Sequence, residues 1–301
     1  MSRVTPAIQI ENLQYAYGRR DAVHDINITV QPGRCYGLFG RNGAGKTTTM
    51  KCLLNLLRPR SGMVRVFGLD PSKQEVAVKQ RLAYVPDQVA FYPWMSIRET
   101  LDYLASFRTN WNRRVEADLI ERFRLDPSVR ADSLSKGQRT QVALIAAICP
   151  ETDLLILDEP TSGLDPIVRR EFIETVIGAY QDGNPGNRTI LVSTHLISEF
   201  EGLIDEFTIV DQGRNVLTLD ADRAREDYKK IRVRFADTPP QLDLREALQV
   251  RREGRELEVI ANGGSAELTK RLESMHPESL VVEALTLEEI FVASVKSREA
   301  V

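Results

Sequence analysis

The segment Gly40–Thr47 has the residue types and spacing of a phosphate-binding loop, because it reads GRNGAGKT and fits G-x-x-x-x-G-K-[ST] throughout. Glycines allow backbone N–H groups to converge on phosphate oxygens, and a helix that begins there adds the positive end of its dipole. Lys46 would neutralise oxygens of the β- and γ-phosphates, and the Thr47 hydroxyl would ligate Mg²⁺. The bland alternative is a glycine-rich turn with an incidental lysine. We expect a nucleotide triphosphate to be bound by Gly40, Asn42, Gly43, Ala44, Gly45, Lys46, Thr47 and Thr48.

Two adjacent carboxylates follow the apolar run LLIL in the segment Leu154–Pro160. A carboxylate at the end of a buried strand faces the crevice where ligands of open α/β sheets bind. Asp158 is expected to hold Mg²⁺, and Glu159 to act as the general base that activates the attacking water. A turn with two solvated acids before Pro160 would be the structural alternative, which the phosphate loop disfavours.

One histidine lies where it could reach the same chemistry, because His195 follows the apolar run TILVST. A neutral imidazole at that strand end could contact the γ-phosphate, so His195 is predicted to be catalytic together with Glu159 and Lys46. His24 and His276 have no comparable context and are given no role.

The elements that must position these residues alternate between strands and helices. The segments AIQIENLQ and DINITV predict two strands that flank a turn near Gly18–Asp21, and RCYGLFG predicts the strand before the phosphate loop. Continuous apolar runs in LLILDEP and TILVSTH are typical of a parallel sheet that is covered on both faces. The first ~215 residues therefore predict a doubly wound α/β core.

Two further stretches are predicted to be helical. Residues 96–125 are expected to form helix throughout, with Ile97, Leu101, Leu104 and Phe107 on a face that packs against the core. A second helix is expected from Ser135 to about Ile148, ending before Pro150.

The hydrophobic pattern of the sequence changes near Asp220, from continuous apolar runs to alternating apolar and polar residues. Half-exposed strands are predicted in KKIRVRFAD and ELEVIANG, with a short helix and a strand in REALQVRREG between them. A helix in SAELTKRLESM, a strand in SLVVEAL and a final helix in LTLEEIFVASVK complete the series. This is the split βαβ order of a ferredoxin-like α+β unit, so we predict domains at 1–219 and 220–301.

The composition excludes several classes of protein. Forty basic and 43 acidic residues give a net charge of −3, which offers no footprint for bulk nucleic-acid binding. The longest apolar run, Val142–Cys149, is far shorter than the roughly 18 residues that span a bilayer, and no secretory signal is expected at the N-terminus. Cys35, Cys52 and Cys149 are too far apart for a zinc site or a disulfide framework and are expected to be buried thiols.

The segment Leu134–Arg139 decides the class of ATPase. Ser135 and Gln138 form an S-x-x-Q capping box, which alone would explain a helix start, but a capped N-terminus with a glycine is also an anion site. Followed by LDEP, it resembles the LSGGQ signature of ABC-type ATPases. The order of phosphate loop, helical insertion, LSxGQ, LDEP, SGLD and strand-end histidine is similar to an ABC nucleotide-binding domain over about residues 6–217.

This resemblance implies a P-loop NTPase fold with a helical subdomain at about 88–145, and a nucleotide held between two such domains. Ser135, Gly137 and Gln138 would close on ATP held by a second nucleotide-binding subunit, in a homodimer, and Asp165 would link the two sites. Tyr17 matches the aromatic that stacks on adenine, with Tyr15 as a less favoured substitute.

The sequence departs from the family pattern at two positions. Lys136 replaces the first glycine of LSGGQ, which adds a charge beside the phosphate-facing helix end. The lid-loop glutamine aligns with Asp87, while Gln88 lies one place later, so either Asp87 contacts Mg²⁺ or the loop shifts by one residue. We favour Asp87, because one branch of the ABC family has an acid at that position. That branch resembles the antibiotic- and sodium-export ATPases, whose chains also often end in a LEEIF-like helix, as in Leu287–Phe291 here.

The predicted function is ATP hydrolysis, with ATP and Mg²⁺, in a subunit of an ABC exporter. By the same resemblance, a separate membrane (permease) subunit would dock on Phe91, Tyr92, Trp94 and Met95, and the chain would lie on the cytoplasmic face of the cell membrane. The alternatives are a soluble ABC ATPase that acts on ribosomes or DNA, and a phosphotransferase with the same loop. No nucleic-acid partner is expected.

Overall fold

The computed structural model describes residues 4–181, 188–239 and 247–299. Within these ranges the strands are β1 Ile8–Tyr17, β2 Arg20–Val30, β3 Cys35–Phe39, β4 Ser61–Val66, β5 Leu82–Val85, β6 Leu154–Asp158, β7 Thr189–Thr194, β8 Glu206–Asp211, β9 Arg214–Asp220, β10 Tyr228–Arg234, β11 Ala247–Glu253, β12 Glu256–Asn262 and β13 Ser279–Ala284. The helices are α1 Lys46–Leu53, α2 Glu75–Arg81, α3 Ile97–Ala105, α4 Arg113–Arg122, α5 Lys136–Ile148, α6 Pro166–Gln181, α7 Ile197–Phe200, α8 Ala221–Asp227, α9 Ser265–Glu273 and α10 Leu287–Glu299, with a 3₁₀ turn at Ala131–Ser133.

The larger sheet has the strand order β4-β1-β2-β9-β8-β3-β7-β6-β5. Strands β3, β7, β6 and β5 pair in parallel, as the continuous apolar runs predict, whereas β1 pairs antiparallel with both β2 and β4. Every residue of β3, β6 and β7 is buried. The predicted α/β P-loop fold is thus confirmed, with a mixed sheet.

The stretch 96–125 is interrupted, contrary to the prediction of continuous helix. Helix α3 ends at Ala105, and Asn112 starts α4 by accepting a hydrogen bond from Val115 N through its side chain. Asparagine favours such a cap over a helix interior, because its side chain competes for backbone groups. Phe107 lies in the intervening turn and is 60% exposed, so its predicted place against the core is wrong.

The chain folds into two compact units, and the divisions between them do not coincide with the boundary predicted after residue 219. Residues up to His195 form the first unit with Val210–Asn215, whereas Leu196–Ile209 and the chain from Val216 onward form the second. Within the second unit Glu201 ties these segments together. Its Oε1 accepts from Leu287 N (3.0 Å), and its carbonyl oxygen accepts from Arg225 Nη2 (2.9 Å).

The second unit contains a four-stranded antiparallel sheet in the order β11-β12-β10-β13. The first strand in the chain, β10, lies between the third, β12, and the fourth, β13, which is the arrangement of a split βαβ unit. Leu268 and Leu272 of α9 pack with Ile231, Val233 and Val259 in its core. The first helix predicted for this unit lies partly outside the described residues, and Ala247–Leu248 belong to β11.

Candidate ATP site at the carboxyl ends of the parallel strands

The predicted phosphate loop and the predicted strand-end residues of the first unit meet at one edge of the sheet. Phe39 of β3 lies opposite Thr194 of β7, and Asp158 of β6 lies opposite Ser193. Because these strands are parallel and in register, the residues after them emerge side by side. The phosphate loop, Glu159 and His195 are therefore neighbours, although the loop lies more than 100 residues before the other two in the sequence.

The loop Gly40–Gly45 is shaped to surround a small anion. Gly45 precedes α1 with φ +107°, a left-handed conformation that favours glycine, and Gly40 approaches the backbone so closely that a Cβ would lie 2.5 Å from the Val210 carbonyl oxygen. The backbone N–H groups at the start of α1 and the positive end of the helix dipole would both attract an anion held in this loop. This cradle fits the phosphate chain of ATP.

Lys46 connects the loop to the carboxylate of Glu159, the predicted general base. Its side chain is only 5% exposed, and its Nζ donates to the carbonyl oxygen of Gly40 (2.7 Å) and lies 2.9 Å from Glu159 Oε1. A buried ammonium group requires such partners, since an uncompensated charge in the interior is costly. The amino group is thereby held at the point where phosphate oxygens would enter.

Asp158 is fully buried and surrounded by hydroxyl groups. Thr47 Oγ1 donates to its Oδ1 (3.1 Å), Ser193 Oγ donates to the same oxygen, and Tyr84 OH donates to Oδ2 (3.4 Å). Burial raises the pKa of the Asp158 carboxyl, and the nearby Glu159 charge adds to that shift, while the hydroxyl donors oppose it. A hydroxyl beside a carboxylate is the set of hard oxygens that Mg²⁺ binds together with nucleotide phosphates.

Glu159 is held between a lysine and a histidine. Its Oε2 lies 2.7 Å from His195 Nδ1 and accepts a longer bond from His195 N (3.3 Å), while Oε1 faces Lys46. The Glu159 backbone has φ +47°, a strained conformation for a residue with a Cβ. Backbone strain of this kind clusters at functional sites, and here it falls on the residue whose carboxylate bridges two candidate catalytic groups.

The signature segment starts α5 as predicted. Ser135 Oγ accepts from Gln138 N (3.2 Å), and Gln138 Oε1 accepts from Ser135 N (3.0 Å), which completes the capping box. These hydrogen bonds involve the signature alone and not the phosphate loop. Lys136, the departure from the family pattern, has a partner that the sequence did not suggest: its Nζ donates to the Ser162 carbonyl oxygen (2.5 Å), in the turn that follows Glu159.

The remaining predicted residues lie at the periphery. Tyr17 is 49% exposed at the β1–β2 turn, and its ring contacts that of Tyr15 edge-on at 4.9 Å between centroids. Asp165 caps α6 by accepting from Ile167 N and Val168 N (both 3.1 Å). Asp87 follows β5. Burial is the main cause of the raised pKa of the Tyr84 hydroxyl, and the charges of Asp158 and then Asp87 add to it. Its contact with Mg²⁺ stays a prediction.

Sequence reasoning missed Tyr84 and Ser193, which complete the shell of Asp158. Tyr84 is opposite Ile156 in the β5–β6 ladder, and Ser193 is opposite Asp158 in the β6–β7 ladder. Only the strand order could have identified them. The cysteines are buried free thiols as expected, and the described residues have no group of three or more acidic, histidine or cysteine side chains arranged for a metal.

The fold and the site define a P-loop ATPase. The ABC transporter family model matches residues 23–162. Bacitracin transport ATP-binding protein BcrA of Bacillus licheniformis is 31% identical over 225 residues, which cover 74% of this chain and 72% of that protein. Nod factor export ATP-binding protein I of Cupriavidus metallidurans is 35% identical over 221 residues, 71% of each chain. A solved structure of an ATP-binding subunit of an ABC transporter superposes with a TM-score of 0.66 at 28% identity, covering 73% of this chain and 92% of that one.

The chain belongs to the family of ABC transporter ATP-binding proteins. It is a transporter ATPase, which agrees with the resemblance of the motifs and the geometry of the site. None of the helices in the described part of the chain is long and apolar enough to cross a membrane.

Proposed function

We propose that this chain powers an exporter by hydrolysing ATP with Glu159 as the general base. The observation that carries the proposal is the position of the Glu159 carboxylate, between Lys46 Nζ at 2.9 Å and His195 Nδ1 at 2.7 Å. From there it can accept the proton of a water molecule that attacks the γ-phosphate, while Lys46 and the loop amides hold the phosphate oxygens. His195 orients the carboxylate and contacts the γ-phosphate.

Thr47 and Asp158 would hold Mg²⁺, with Asp87 as a further ligand. The ion would supply positive charge to the β- and γ-phosphate oxygens. The chain's own contribution is to keep the hydroxyl and the buried carboxylate 3.1 Å apart, with Tyr84 and Ser193 fixing the carboxylate's orientation.

A second copy of this chain would complete each site. Ser135, Gly137 and Gln138 are at the exposed or half-exposed start of α5, where a helix N-terminus suits an anion. In the proposed homodimer they face the γ-phosphate of ATP bound to the other copy, and Asp165 lies near the contact between the sites. ATP binding then closes the dimer, and hydrolysis reopens it.

Tyr17 is proposed to stack on the adenine. Replacing Tyr17 with alanine is expected to weaken ATP binding by about 1–3 kcal/mol, which is roughly 5- to 150-fold, because a base loses its aromatic platform. Tyr17→Phe should retain the affinity, and Tyr92→Ala, at an exposed aromatic elsewhere in the unit, is the matched control. Titration with a fluorescent ATP analogue measures the dissociation constant of each variant and of the parent. Equal affinities for Tyr17→Ala and the parent would assign the stacking role to another residue.

A membrane subunit is proposed to dock on the helical subdomain. A groove of about 660 Å³ at the border of this subdomain is lined mainly by apolar side chains, including Leu54, Val89, Phe91 and Phe107. Beside it, four exposed aromatic rings contact one another with centroids 5.0–5.7 Å apart: Tyr92, Trp94, Tyr103 and Phe107. We call these four residues the aromatic ladder. Exposed aromatic clusters are typical of protein interfaces, and Tyr103 and Phe107 extend the surface predicted from the sequence.

The double substitution Trp94→Ser/Phe107→Ser is therefore expected to reduce recovery of the membrane subunit at least tenfold, since buried aromatic anchors dominate binding energy. These side chains are 59% and 60% exposed in the chain alone, so the substitutions should leave the fold and basal ATPase activity unchanged. The measurement is affinity purification from detergent-solubilised native membranes with identification of a polytopic protein by mass spectrometry. Val281→Ser, at an exposed valine of the second unit, is the control. Undiminished recovery by the double variant would place the docking surface elsewhere.

The relative named for Nod factor export supports the proposed direction of transport. A position on the inner face of the cell membrane follows from the proposed docking. The competing function, a soluble ABC ATPase that acts on ribosomes or DNA, requires that no polytopic partner be recovered in the same purification.

A further inference from the structure

The lysine that departs from the signature pattern makes a specific long-range contact. Lys136 is the first residue of α5, and its Nζ donates to the Ser162 carbonyl oxygen, 26 residues away in the sequence. Gly163 lies directly beneath the amino group, because a Cβ at that position would be 3.1 Å from Nζ. A larger residue in the turn would obstruct the lysine.

The Ser162 peptide unit connects this lysine to the catalytic carboxylate. Ser162 N donates to the carbonyl oxygen of Glu159 (3.1 Å), while Ser162 O accepts from Lys136. Two hydrogen bonds thus join the start of α5 to the backbone of Glu159, whose φ of +47° requires support from its surroundings.

A second contact holds the same two elements together. Val168 of α6 packs against Gly137, where a Cβ would lie 3.3 Å from Val168 Cγ1. Asp165 caps α6 immediately after the turn. The turn Ser162–Asp165 is therefore fixed between the first residues of α5 and the start of α6.

We infer that Lys136 is a positioning residue that links the signature helix to the turn beside Glu159 and so keeps the general base in its productive place. The inference rests on the proposed role of Glu159. In the proposed dimer the start of α5 faces the ATP bound to the other copy, whereas Glu159 acts on the ATP bound to its own copy. Lys136 would therefore couple the two sites. The ammonium group serves the turn of its own chain instead of a phosphate.

Lys136→Met is the direct test, because it removes the donor and retains most of the aliphatic stem. We expect kcat for ATP to fall about five- to tenfold with KM little changed, since the lysine affects the base and not the nucleotide. Lys136→Arg should restore most of the rate, because a guanidinium can still donate to a carbonyl oxygen. Lys73→Met, at an exposed lysine of the same unit, controls for the loss of one positive charge.

A second measurement separates positioning from phosphate binding. In the background of Glu159→Gln, ATP-dependent dimer formation is measured by size-exclusion chromatography with and without Lys136→Met. The positioning role requires equal dimer formation; loss of the dimer, a rise in KM, or an unchanged kcat in Lys136→Met would overturn it. If Glu159→Gln alone forms no dimer with ATP, the proposed dimer fails, whereas the kcat comparison still decides the role of Lys136.

Discussion

Replacing Glu159 with glutamine is expected to lower kcat for ATP by about 10²–10⁴-fold while ATP is still bound, because an amide cannot accept the proton of the attacking water. The substitution has nearly the same size and leaves the phosphate loop, Thr47 and Asp158 in place. Steady-state phosphate release gives kcat, and equilibrium binding of ATP gives the affinity. Bound ATP that is not hydrolysed should then hold two copies together as a stable dimer.

The matched control for this experiment is Glu151→Gln. Glu151 also has a positive φ, at +53°, and its carboxylate accepts hydrogen bonds from Asn110 and Asn112. It follows α5 and has no contact with the phosphate loop among the described hydrogen bonds. Loss of activity in both variants would indicate a general effect on folding, and near-normal turnover in Glu159→Gln would reject Glu159 as the base.

Lys46→Ala is expected to produce the largest loss of nucleotide affinity. Removing one partner of a buried charged contact costs about 2–5 kcal/mol, which corresponds to a roughly thirtyfold or greater weakening of ATP binding. Lys51→Ala, on the same helix α1, should bind ATP as the parent does. Isothermal titration calorimetry of both variants measures the difference, and parental affinity in Lys46→Ala would exclude Lys46 from phosphate binding.

The same substitution should also destabilise the protein without nucleotide. Glu159 Oε1 would lose the ammonium group at 2.9 Å, and leaving a buried polar group without its partner costs about 1–3 kcal/mol. Adding Glu159→Gln to Lys46→Ala removes the uncompensated charge. Denaturant unfolding should therefore show partial recovery of stability in the double variant, while ATP binding stays weak. This pattern separates the electrostatic role of Lys46 in the fold from its role at the phosphates.

The chemistry of the first unit could be predicted from the sequence because its signals are local. The phosphate loop is a continuous segment that binds through its own backbone, and the Ser135–Gln138 capping box closes within one helical turn. Asp158, Glu159 and His195 are each recognisable as the residues that follow a continuous apolar run. Parallel pairing then brings those strand ends to one edge, so their proximity follows from the fold class.

Contacts between distant segments could not be predicted in this way. The hydroxyl groups of Tyr84 and Ser193 reach Asp158 only because β5, β6 and β7 are adjacent and in register. Phe107 satisfies helical periodicity, yet the turn before Asn112 ends the helix and leaves its ring exposed. Glu201 joins Leu196–Ile209 to the rest of the second unit through hydrogen bonds that no local sequence pattern predicts.

Lys136 shows most clearly the difference between a local sequence signal and a contact between distant segments. The sequence identified an extra positive charge at the phosphate-facing start of a helix, but it named no partner for the amino group. The tertiary structure brings the Ser162 carbonyl oxygen within 2.5 Å of the amino group, and that contact holds the side chain on the turn that follows Glu159. The sequence determined which residues are proposed to bind and hydrolyse ATP, because those assignments depend on residue type and short-range spacing. Only the tertiary structure decided how the residues are held, because a flexible side chain adopts whichever partner the packing of distant elements places within its reach.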